Sequence, residues 1–136
     1  ALVVPHIGLP ETVGRSVLVA WKETREAARA VSAALPWLQT ADTVHVLIGA
    51  ERGETATAAA SSIETWLGHH GVQPQLHRFD TGGADAGDLL LSEAAARSAD
   101  LLVMGCYGHA RAREWMLGGA SRTVLQTMTL PVLMAH

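Results

Sequence analysis

Leu101-Leu102-Val103-Met104-Gly105-Cys106-Tyr107-Gly108, followed after nine residues by Gly118-Gly119, is the stretch on which the reading of this chain turns. Its first four residues form an apolar run that reads as a buried strand, and residues 120–129 read as a helix. A strand that ends in glycines and feeds a helix is a common phosphate cradle. Glycines let backbone N–H groups approach the anion, and the following helix points its positive end at it. No Gly-Lys-Ser/Thr follows, so this is not a P-loop of the Walker type, and the dinucleotide fingerprint with three glycines in six residues is also absent. Spacing alone leaves open that the glycines only make turns.

Working outward, strand and helix signals alternate. Residues 15–21 (Arg-Ser-Val-Leu-Val-Ala-Trp) are a short run of the kind buried on both faces. Thr24 is placed to cap a helix with Glu26 in its first turn, and Ala28, Val31, Leu35 and Leu38 recur at helical spacing; Pro36 is expected to kink or end this helix. Residues 43–48 are the next strand, 51–54 a polar loop, and 55–70 a second helix with Ala59, Ile63, Trp66 and Leu67 inward and Gly71 just past its end. Residues 75–79 alternate and are more polar, which suits an edge strand. A glycine-rich loop at 80–84 precedes Asp85 and Asp88, which open a third helix in a capping arrangement, with Leu89, Leu90, Ala94 and Ala95 inward. Residues 131–135 form the closing strand. Strands separated by single helices require crossovers, so the fold class is α/β with a mainly parallel sheet covered by helices on both faces.

At 136 residues, 49% apolar and 17% charged, the chain makes a sizeable core and is not disordered. A net charge of −3 with ten scattered Lys and Arg argues against nucleic acid as a partner. The single cysteine, Cys106, excludes an internal disulfide and fits a reducing, cytoplasmic setting. The opening Ala-Leu-Val-Val-Pro is neither a signal peptide nor a membrane span, and its lack of an initiator Met suggests trimming or a piece of a longer chain.

There is one internal echo: Leu2-Val3-Val4-Pro5-His6 resembles Val132-Leu133-Met134-Ala135-His136. Two ordinary strands could give it. The sharper reading makes residues 1–14 the closing strand of a preceding domain copy plus a linker, and residues 15–136 the domain itself.

The combination resembles the universal stress protein family. Residues 17–28 look like its opening strand and first helix, residues 100–108 like its fourth strand and first two glycines, and residues 117–125 with 130–133 like its closing helix and strand. The likeness covers residues 15–136, and the repeated closing strand further resembles tandem members. It implies an open parallel sheet of five strands in the order 3-2-1-4-5. Ligands of such sheets bind at the switch point beyond the strands' carboxyl ends. Members of one class hold ATP with Gly-x2-Gly-x9-Gly followed by Ser or Thr, and Gly105, Gly108 and Gly118 match position by position. The resemblance therefore implies an adenine nucleotide against Trp21, Lys22, Met104, Gly105, Gly108, His109, Gly118, Gly119, Ala120 and Ser121. Two departures matter. Gly119 stands where the hydroxyl belongs, which removes one phosphate hydrogen bond of about 0.5–1.5 kcal/mol; Ser121 replaces it only if the turn shifts. Lys22-Glu23-Thr24 stands where the family has Asp-Gly-Ser, so the charge beside the nucleoside is reversed.

Other candidates are weaker. His109, Arg111 and Arg113 could meet phosphates or form a solvated loop with Glu114, Tyr107 and Trp115 are expected to pack that loop, and Cys106 reads as a small residue that fits rather than a redox sensor. Seven histidines include no His-x3-His, so no metal site is expected. Ser16, Ser32, Ser61 and Ser62 lack a nucleophile-elbow context, so no catalytic set is expected and any ATP hydrolysis would be slow and incidental. Two functions follow: a stress-response regulatory module that binds an adenine nucleotide, or a pairing domain without nucleotide. The latter would be a homodimer or tandem pseudo-dimer working through Pro131, Val132, Leu133 and Met134, paired with a partner's copy of that strand or with residues 1–5.

Overall fold

The computed structural model describes residues 1–6, 8–49, 56–80, 82, 84–106 and 119–136. The elements run β1 (Leu2–Val3), β2 (Ser16–Trp21), α1 (Arg25–Thr40), β3 (Thr43–Gly49), α2 (Ala56–His69), β4 (Gln75–Phe79), α3 (Ala86–Ala96), β5 (Leu101–Gly105), α4 (Gly119–Thr127) and β6 (Val132–Ala135). Among the described residues the sheet has six strands in the order β1-β6-β5-β2-β3-β4. The five strands from β2 to β6 are parallel and follow the expected order 3-2-1-4-5. The expectation of five strands is corrected by β1, which adds a sixth strand antiparallel to β6, Leu2 opposite Leu133 and Val3 opposite Val132.

The central strands are buried on both faces because helices cover both. Val17, Val19, Trp21, Val46, Ile48 and Val103 pack against Ala30, Val31, Ala34 and Leu38 of α1 and Ile63 and Leu67 of α2. On the opposite face, Leu18, Leu47, Leu102 and Met104 meet Leu90 and Ala94 of α3 and Val124 of α4. Alternate residues of one strand thus feed two separate cores, which explains the continuous apolar runs.

Local signals account for the element ends. The Thr24 side chain caps α1 by accepting from the Ala27 N–H at 3.2 Å, and Asp85 caps α3 by accepting from the Asp88 N–H at 3.0 Å. Gly71, at φ +77°, ends the turn after α2 in a conformation that costs a glycine nothing. Pro36 neither ends nor shortens α1, which continues four residues beyond it to Thr40; the ring lies on the exposed side, and the apolar stripe on the other side holds the helix to the sheet. That stripe is Ala27, Ala30, Val31, Ala34 and Leu38, so Ala28 faces solvent rather than the core. Ala95 is likewise exposed, and Gly87 takes its place in the packed face of α3. The side chain of Ala59 and the loop 51–54 lie outside the described residues.

A carboxylate ties the start of the domain together. Asp100, just before β5, accepts hydrogen bonds from the Thr12 hydroxyl at 2.6 Å and from the N–H groups of Gly14, Arg15 and Ser16 at 3.0, 3.1 and 3.0 Å. Burial alone would raise its pKa. The four donors outweigh that and hold the carboxyl below its ordinary value.

A crevice at the switch point as candidate functional site

Beyond β2 the chain turns to β3, and beyond β5 it turns to β6, so the carboxyl ends of β2 and β5 diverge around a crevice. Its volume is about 330 Å³. The floor is apolar, formed by Ala20, Leu47, Leu90, Met104 and Phe79. One wall is Trp21, Lys22 and Thr24 with Glu26 and Ala27 of α1's first turn; the other is Gly119, Ala120 and Ser121, the first turn of α4. The described part of α4 opens at this wall, so the positive end of its dipole lies on the crevice side.

Each wall residue has a local reason to be there. The stem of Lys22 lies over Gly49, where an added Cβ would come within 3.3 Å of Lys22 Cγ; the glycine at the end of β3 leaves room for the lysine along the crevice. Gly105 serves packing. A Cβ there would lie 2.6 Å from Ala27 N and 2.8 Å from the Glu26 carbonyl carbon, so only glycine lets β5 end against the first turn of α1. Gly119 is different: an added Cβ there meets nothing within 4 Å. Ser121 is buried at 3% exposure on α4, at the crevice wall.

Of the expected nucleotide-site residues, Trp21, Lys22, Met104, Gly105, Gly119, Ala120 and Ser121 therefore come together at one crevice. Gly108, His109 and Gly118 lie outside the described residues, as do Tyr107, Arg111, Arg113 and Trp115. Sequence reasoning missed Leu47, Phe79, Ala86, Leu90 and Glu26. Leu47 and Phe79 close the ends of β3 and β4, so their position at strand carboxyl ends was the available signal; Ala86 and Leu90 become lining only through the packing of α3.

None of the described titratable groups with a shifted pKa lines this crevice. Cys106 is buried, its Sγ–H directed to the Ala135 carbonyl at 3.4 Å, and burial pushes its thiol pKa up, which suits a packed residue rather than a redox sensor. His45 and His77 are neighbours across β3 and β4, with Nδ1 of the first 3.0 Å from Nε2 of the second. Burial first lowers both pKa values, followed for His45 by the charge of His77 and then that of Arg97, and for His77 by that of Arg97. Among the described residues no three His, Cys, Asp or Glu side chains converge as metal ligands, and no helix is long and apolar enough to cross a membrane.

Comparison with known proteins supplies independent information. The model of the universal stress protein family matches residues 14–136. No curated protein sequence matches the chain significantly. Among solved structures, a universal stress protein from Archaeoglobus fulgidus is similar at TM-score 0.65 and 20% identity, with 89% of this chain and 98% of that one covered. A second universal stress protein, from Archaeoglobus fulgidus DSM 4304, is similar at TM-score 0.70 and 22% identity; 91% of this chain covers only 46% of that one. The universal stress protein UspA of Lactobacillus plantarum aligns at TM-score 0.65 and 13% identity, over 93% of this chain and 100% of its own. At these identities the likeness to the solved structures is one of fold.

Proposed function

The chain belongs to the universal stress protein family, and from that premise we propose that it is a stress-response regulatory module whose switch-point crevice binds an adenine nucleotide, with ATP the first candidate. The observation that carries the reading is the convergence of Lys22 and the first turn of α4 on a crevice with an apolar floor. A nucleotide needs both halves: an apolar slot for the base, and a positive helix end with backbone donors for phosphate. In the sequence, Gly105, Gly108 and Gly118 carry the family's loop pattern. Gly119 removes one hydroxyl from that loop, so binding is weaker than in relatives that keep it, by about two- to tenfold. In this reading the module acts by binding the nucleotide. Calorimetry tests this: saturable heat with ATP is expected, and Gly108→Val should abolish it. Absence of heat at millimolar ATP overturns the proposal.

A second reading, pairing through the closing strand, is favoured by one specific observation. In the echo, Leu2 corresponds to Val132 and Val3 to Leu133. In the sheet, Leu2 faces Leu133 and Val3 faces Val132. Exchanging the two strands leaves this pairing unchanged, which is the property of an isologous twofold contact. Backbone bonds continue it: the Ala1 amino group donates to the Met134 carbonyl at 2.6 Å, and the Met134 N–H donates to the Ala1 carbonyl at 2.8 Å. Residues 1–14 then act as the closing strand and linker of a preceding copy in a tandem, cytoplasmic protein. Residues 1–5 cover the edge of Val132, Leu133 and Met134 that a partner copy would otherwise take. Both readings hold together if the pair is the scaffold and the crevice the sensor.

A further inference from the structure

Beneath the crevice floor lies a polar contact that the proposed site does not use. Val44, Val46 and Ile48 of β3 and Leu76 of β4 pack in the α1/α2 core, so His45, Leu47, His77 and Phe79 point to the opposite face. Leu47 and Phe79 line the crevice. One layer below them, two residues back on each strand, Nδ1 of His45 lies 3.0 Å from Nε2 of His77, with the ring centres 5.2 Å apart. Both residues are half-buried, so protons reach the rings from solvent. Among the described residues β4 is the last strand of the sheet and pairs with β3 alone. The imidazole bond is thus a side-chain tie that holds this edge strand under the crevice. The charges acting on it, among the described residues, are Arg97 and Glu93 of α3, themselves ion-paired at 3.1 Å.

Such a bond depends on how many protons the pair carries. One of the two facing nitrogens holds a hydrogen and the other must be bare. Whichever ring donates, its own bare nitrogen is the outer one, and the first proton taken up goes there. The bond survives that step and becomes charge-assisted. The only bare nitrogen then left is the accepting one. A second proton there sets two N–H groups and two positive rings face to face, with the Arg97 guanidinium as a third positive charge nearby. The two protons therefore come on as separate steps that belong to the pair. We propose that His45 and His77 form an acid-sensitive latch under the crevice: it holds β4 to β3 with no proton or one proton added, and the second proton parts the rings, frees the end of β4 and displaces Phe79 from the crevice floor. The latch acts on the shape of the crevice whatever ligand enters it, and it is testable without nucleotide.

Phe79 is the chain's one phenylalanine, so its ring signal is assigned by residue type. With the imidazole nitrogens and the Phe79 ring isotope-labelled, an NMR titration of the intact chain from about pH 7.5 to about pH 4 follows both. The first proton should make one imidazole cationic and leave the Phe79 signal in place. The second should move that signal, and the protection of β4 amides against hydrogen exchange, corrected for intrinsic rates, should fall about two- to tenfold, the range of one lost hydrogen bond. In His77→Gln, which cannot take the second proton, both the Phe79 step and the loss of protection should be missing. Carboxylates that titrate near Phe79 act alike in both proteins and cancel in the comparison. His45→Gln should give the same result from the other strand, which keeps the test open if one variant folds poorly. A Phe79 signal that moves with the first proton, a pair still bonded at about pH 4, or equal Phe79 movement in the parent and the variants would each overturn the proposal.

Discussion

Replacing Gly105 by alanine puts the steric account of this glycine at risk. The new Cβ would sit 2.6 Å from Ala27 N and 2.8 Å from the Glu26 carbonyl carbon, both backbone atoms of α1's first turn. Comfortable separations for such atoms begin near 3.5 Å, so β5 or α1 must give way by about 0.9 Å. Neither yields easily: β5 is paired on both sides, and α1 is pinned by the Thr24 cap. Gly105 does not have a positive φ, so the cost is contact and not backbone conformation. Overpacking of this kind costs about 1–3 kcal/mol. With about 2.1 cal/mol/K of unfolding entropy per residue, the whole chain has about 0.29 kcal/mol/K, and Tm should drop by about 3–10 °C. Thermal unfolding followed by circular dichroism reads this directly. Gly119→Ala is the control, since a Cβ there meets nothing and the change should leave Tm level or slightly raised. A Gly105→Ala Tm within about 1 °C of the parent, or an equal fall for Gly119→Ala, would refute the argument.

Four further outcomes are expected. Gly119→Ser fits the open space and restores the missing hydroxyl, so calorimetric affinity for ATP should tighten about two- to tenfold; no gain would dissociate that position from phosphate binding. Asp100→Asn should cost about 2–4 kcal/mol in urea unfolding, because an amide cannot accept from all four donors. The parent's Asp100 pKa is depressed below 3.8, so its stabilising term is complete above that pH and is lost as pH falls through the folded value; the Asn variant should lose less stability in that acid range. His45 and His77 have lowered pKa values, so the folded state resists their protonation and loses stability as pH falls from about 6.5 toward the folded values; His77→Gln should flatten that slope, and an unchanged slope would count against it. Removing residues 1–6 should bare the β6 edge and convert the chain to a dimer by light scattering, whereas a lasting monomer would argue against pairing through that strand.

Much of this fold was legible because its signals are local. The apolar runs at 17–19 and 101–104 mark strands covered on both faces, Thr24 and Asp85 cap as their types demand, and Gly71 stops a helix. What failed to show depended on contacts distant in sequence. Pro36 reads as a breaker until the packing of Ala34 and Leu38 against the sheet outweighs its missing donor. Ala28 and Ala95 read as inward because alanine carries no polarity to place it, and only the observed faces decide. The crevice was half legible: glycines and Lys22 flag it, but its floor of Leu47, Phe79 and Leu90 comes from three elements whose meeting no spacing encodes. Gly105 belongs to the loop motif, yet its contact is with α1, some eighty residues earlier. One residue can therefore satisfy a motif and a packing need at once.

What matters most for function is whether an adenine nucleotide occupies the switch-point crevice. Titrating ATP into the isotope-labelled chain and following backbone amide resonances tests it most directly. Saturable shifts are expected at Lys22, Gly105 and the Gly119, Ala120 and Ser121 N–H groups, with the β1–β6 edge unmoved. An absence of shifts at those amides at millimolar ATP, or shifts confined to Val132, Leu133 and Met134, would contradict it.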